Sequence, residues 1–75
     1  MKNAAELLQS AWENGEPTFS FRAKDKHTLV ALAAYYVSIL GDEAISEGFK
    51  VEIEHILDEF SDWQRANPDK VKTPD

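Results

Sequence analysis

A mainly α fold, in the order helix, short strand, helix, helix, is what the sequence predicts, and three observations carry it. Apolar residues recur at one-turn spacing over three stretches. Each of those stretches closes at a glycine or at Asn-Pro. Outside them one segment, residues 18–23, alternates with period two. The chain has 75 residues, too few for two independent cores, so residues 1–67 read as a single small helical domain and 68–75 as a flexible C-terminal tail.

The first helix starts at Asn3, three residues before Glu6, a capping-box spacing. Leu7, Leu8, Ala11 and Trp12 then make one apolar face. Asn14-Gly15 stops the helix, with Gly15 free to take the left-handed conformation and Pro17 unable to continue it. In the predicted strand Phe19, Phe21 and Ala23 lie on one side, and Thr18, Ser20 and Arg22 on the other. Asp25 suits the N-cap of a second helix reaching about Leu40 and ending at Gly41. Its main apolar stripe is Leu29, Leu32, Ala33, Tyr36, Val37 and Leu40. Val30, Ala34 and Ile39 make much of the remainder apolar too, so this helix is expected to be covered on more than one side.

A third helix is expected after Asp42, running to about Ala66 before Asn67-Pro68. Ile45, Phe49, Ile53, Ile56, Phe60 and Trp63 step by three or four, with Leu57 beside them, and Trp63 is expected to be buried. Residues 49–54 also alternate with period two and could form a strand. The longer helical seam outweighs that pattern. With those residues helical, the strand at 18–23 has no partner in its own chain, and pairing across a homodimer is the expected remedy.

Composition excludes several classes. There is no cysteine, so neither a disulfide nor a thiolate zinc site supports this short chain, and self-association is the expected substitute. A net charge of −6 argues against direct nucleic-acid binding. Glu6 arrives too early for a signal peptide, and the apolar run at residues 29–40 is too short to span a bilayer, so no membrane association and a cytoplasmic location are expected.

Candidate chemistry gathers at the strand-to-helix junction. Arg22, Lys24 and Lys26 are three of the eight basic residues, and they precede a helix amino terminus whose free N–H groups attract anions. Phe19 and Phe21 offer rings for stacking. These five residues are the candidate ligand site, for a phosphate-bearing or other anionic molecule. Asp25 competes for the same N–H groups, and no glycine-rich phosphate loop is present.

Glu52 and His55 have the Glu-x-x-His spacing of di-metal bundles. At about 100° per residue, His55 points roughly 125° from the apolar seam, towards solvent. No metal, cofactor or catalytic residue is expected, since no nucleophile sits beside either histidine in a recognisable arrangement. The third feature is acidic. Asp42, Glu43, Glu47, Glu52, Glu54, Asp58, Glu59 and Asp62 face only Lys50, either as a solvated surface or as a contact for a basic partner protein.

The run Glu16-Pro17-Thr18-Phe19-Ser20-Phe21-Arg22-Ala23-Lys24-Asp25 resembles an E-P-x-F-x-x-R-A-x-D motif of small uncharacterised helical proteins from bacteria, phages and mobile elements, whose last helix ends near Trp-Gln, here Trp63-Gln64. The acidity of the last helix departs from that pattern. The resemblance covers about residues 16–66 and implies a small helical accessory protein, without an activity or catalytic residues. The expectation is a non-enzymatic, homo-oligomeric binding protein; the alternative is an inhibitor or adaptor that sets its acidic helix against a basic host protein.

Overall fold

The computed structural model describes residues 3–73, and the chain is mainly helical: α1 spans Ala4–Glu13, α2 Thr28–Leu40 and α3 Glu47–Ala66. Both ends of α1 are built by local chemistry. The Asn3 side chain accepts from the Glu6 N–H at 2.9 Å and its amide donates back to the Glu6 carboxylate at 3.3 Å. At the other end the Glu16 N–H reaches the Ala11 carbonyl and the Gly15 N–H the Trp12 carbonyl, a Schellman closure. It requires the left-handed conformation that Gly15 adopts at φ 63°.

Two helix starts lie later than the sequence suggested. Asp25 does not cap α2; its carboxylate accepts the His27 N–H at 2.8 Å and its carbonyl accepts the Thr28 N–H, a tight turn ahead of the helix. Asp42 behaves alike, accepting the Ala44 N–H at 2.9 Å, and Ser46 is the N-cap of α3, its hydroxyl accepting from Phe49 at 3.2 Å. Residues 49–54 are helical within α3.

α2 and α3 pack on each other, while α1 packs on neither. The pair is antiparallel, as three cross-links show: Lys50 lies by the Leu40 carbonyl, Tyr36 by Glu54, and Gln64 by Ala23 and Asp25. The core is small. Ile39 and Ile53 are its buried apolar centre, flanked by half-buried Leu29, Leu32, Phe49, Ile56, Leu57 and Phe60. Thr28 is fully buried and its hydroxyl donates to the Arg22 carbonyl at 2.8 Å.

The structure corrects the expected faces. Ile39, set aside from the main stripe of α2, is its most buried apolar residue, whereas Val37, placed in that stripe, is 68% exposed. A helix apolar all round has no polar side to fix its rotation, so either stripe satisfied the pattern. Trp63 is not buried; it is 36% exposed at the edge of a groove.

The predicted strand does not form. Residues 16–22 carry no regular secondary structure, and the N–H groups of residues 18–21 have no partner among the described residues. A strand needs a neighbour to exist as one, and within this chain the segment that could have paired with it is part of α3. Among the described residues the β-like element is an isolated parallel bridge between Asp25 and Lys72, in which Lys26 donates to the Lys72 carbonyl at 3.0 Å and Lys72 donates to the Lys24 carbonyl at 2.9 Å. The segment expected as a tail is therefore attached to the junction at Lys72. Pro74 and Asp75 lie outside the described residues. No helix among the described residues is long and apolar enough to cross a membrane.

Candidate functional site

The turn at residues 22–25 is held from three directions. Thr28 ties the Arg22 carbonyl from α2. Gln64 on α3 donates through its amide nitrogen to the Ala23 carbonyl at 2.9 Å and the Asp25 carbonyl at 3.2 Å. The Lys72 bridge holds the far side. Between the turn and the C-terminal segment lies a groove of about 270 Å³, lined by Phe19, Ser20, Arg22, Lys24, Asp25, Lys72 and Thr73. A second, of about 370 Å³, shares Arg22, Lys24 and Lys72 and adds Ala23, Trp63, Asp69 and Lys70.

Of the five candidate ligand residues, Arg22, Lys24 and Phe19 come together in the first groove. Phe21 lines neither groove but braces Phe19 edge to face, ring centroids 5.0 Å apart and planes 79° apart. Lys26 lines neither; it is exposed, and its backbone rather than its ammonium takes part in the bridge. Asp25 takes the N–H groups of His27 and Thr28, so of the N–H groups at the start of α2 those of Leu29 and Val30 are left without a partner among the described residues. The cationic character comes from side chains. The ion pairs among the described residues are Lys50–Glu47 and Arg65–Asp62, so Arg22, Lys24, Lys70 and Lys72 have no ion-pair partner among those residues, with Asp25 and Asp69 lining the same grooves.

Sequence reasoning missed Lys70, Lys72, Trp63 and Gln64 as parts of this region. The signal for the two lysines was faint: they flank half-buried Val71 at a spacing of two, as an edge segment would place them.

The run from Asp42 through α3 is acidic. All eight carboxylates from Asp42 to Asp62 are exposed. Lys50, which the sequence set against them, is buried, its ammonium 3.5 Å from both the Leu40 carbonyl and Glu47. Lys50 pairs with Glu47 and Arg65 with Asp62, so Asp42, Glu43, Glu52, Glu54, Asp58 and Glu59 are the carboxylates of this run without an ion-pair partner among the described residues. His55 is exposed, as its angle on the helix implied. Tyr36, half-buried, donates to Glu54 at 3.4 Å; burial first, then the Glu54 carboxylate, raises its phenol above the ordinary tyrosine value.

No family model, curated protein or solved structure matches the chain.

Proposed function

We propose that the protein is a non-enzymatic, homo-oligomeric binding protein that holds a phosphate-bearing or other anionic ligand between Arg22, Lys24 and Lys72, with the Phe19 ring beside it. The reading rests on one observation: the backbone bridge at Asp25 carries Lys72 to a groove already lined by Arg22 and Lys24, and none of the three has a carboxylate within ion-pair distance among the described residues. Unneutralised cations around a concave surface with an aromatic wall suit an anion bearing a planar group. The E-P-x-F-x-x-R-A-x-D resemblance adds the setting, an accessory protein of a phage or mobile element acting in the cytoplasm.

Calorimetric titration with inorganic pyrophosphate and with a nucleoside triphosphate tests the reading. Replacing Arg22, Lys24 and Lys72 together by Gln is expected to abolish binding with helicity unchanged, whereas Lys26→Gln leaves it nearly intact. Equal binding by the triple variant would remove this groove from consideration.

A second reading is favoured by Glu52, Glu54, Asp58 and Glu59 of α3, which are exposed and have no ion-pair partner among the described residues, and so offer an acidic face to a basic protein. Such a complex weakens steeply as ionic strength rises, and replacing Glu52, Asp58 and Glu59 by Gln weakens it at low salt.

A further inference from the structure

α2 presents two apolar faces, and α3 covers one of them. At about 100° per residue, Val30, Ala33, Ala34 and Val37 fall within roughly 100° of one another, on the side of the helix opposite buried Ile39. Val30 is 71% and Val37 68% exposed, and both alanines are exposed. No charged residue occurs anywhere in α2. A stripe of this kind in water is an interface awaiting its cover.

The order of the side chains names the cover. Val30, Ala33, Ala34 and Val37 read the same in both directions about the midpoint between the alanines. A two-fold axis through that midpoint lays α2 antiparallel on α2 of a second copy, with each Val30 against Val37 of the other copy and each Ala33 against Ala34. The small residues sit where two helices come closest, and the valines fill the wider ends, so the stripe is complementary to itself. A different protein would have no need of that symmetry, and α2 offers no charge with which to select one.

The size of the surface agrees. The chain exposes 5954 Å². A compact monomer of this mass exposes about 4,650 Å²; the excess of about 1,300 Å² is shared between the outer face of α2 and the unpacked α1, and it leaves room for the roughly 800 Å² each partner buries in a stable dimer.

We infer that the protein forms an isologous dimer through the outer face of α2, antiparallel about the Ala33–Ala34 midpoint. This deepens the homo-oligomeric part of the proposed function and leaves anion binding to be judged separately.

Sedimentation velocity at micromolar concentration tests it with three chains. Wild type is expected at twice the 8.5 kDa chain mass. Val30→Glu with Val37→Glu is expected to be monomeric with the same far-ultraviolet circular dichroism, its association weakened at least about a hundredfold because four unpaired carboxylates enter a dry contact. Val30→Lys with Val37→Glu is expected to remain a dimer, since each lysine meets the glutamate of the other copy; a parallel arrangement would set lysine against lysine. A persistent dimer in the double-glutamate chain overturns the assigned face while leaving a homo-oligomer in place. A wild-type monomer overturns both. A folded but monomeric lysine–glutamate chain overturns the antiparallel register. Pyrophosphate titration of the double-glutamate chain keeps the anion site readable whichever result is obtained.

Discussion

Gln64 and Tyr36 show how single side chains join the two packed helices to the rest of the chain. The Gln64 amide is the donor for two carbonyls of the junction turn, and truncation leaves both without it. Gln64→Ala is expected to cost about 1–2 kcal/mol in denaturant unfolding and to weaken anion binding in calorimetry, because Arg22 and Lys24 sit on the released turn. An unchanged affinity would show that the turn needs no support from α3. Tyr36 carries a pH signature. Its phenol is held above the ordinary value by burial and by Glu54, so the protonated form is favoured in the fold. That contribution is complete below about pH 10, the unfolded value, and is lost as pH rises through the folded value. Tyr36→Phe is therefore expected to flatten part of the alkaline loss of stability, and an identical alkaline limb in both chains would remove Tyr36 as its cause.

Among the elements, α1 stands apart. It is a ten-residue helix with good caps at both ends and no packing on α2 or α3. Helices this short are marginal in water on their own. Its amides are expected to exchange with solvent far faster than those of the buried face of α2 and α3, a contrast that native-state hydrogen exchange measures directly; equal protection would mean that α1 is covered in solution. The elements also show what the sequence could disclose. Asn3, Gly15 and the stop at Asn67 act on neighbours within a few residues, so their spacing is sufficient to read them. Asp25 and Asp42 were ambiguous because an aspartate serves equally well as a helix cap or in a tight turn, and the choice depends on where the following residues pack. The rotation of α2 was hidden by its uniform apolarity. The third helix was legible because a 20-residue stretch with one continuous apolar seam outweighs a six-residue alternation.

At the scale of the whole molecule, charge is sorted by place. Arg22, Lys24, Lys70 and Lys72 lie around the grooves with Asp25 and Asp69, and six exposed carboxylates line α3. Half of that arrangement could be read from the junction residues themselves. The other half depends on Lys72, which meets Lys24 and Lys26 across most of the chain, a pairing that no local pattern announces. That separation governs the order of assembly. α2 and α3 meet through a six-residue connection, a short loop that closes early, whereas the Asp25–Lys72 bridge closes a loop spanning both helices. The bridge is then the last contact made during folding and, resting on two backbone hydrogen bonds, the first released during fluctuation. Because one opening frees both donors, the amides of Lys26 and Lys72 are expected to exchange at a common rate despite their distance in sequence, and saturating the groove with an anion should slow the two together. Divergent rates would mean that the bridge unzips one bond at a time. A common rate would make this pair of amides a clock for the final step of folding, ticking in the native state long after the helices have set.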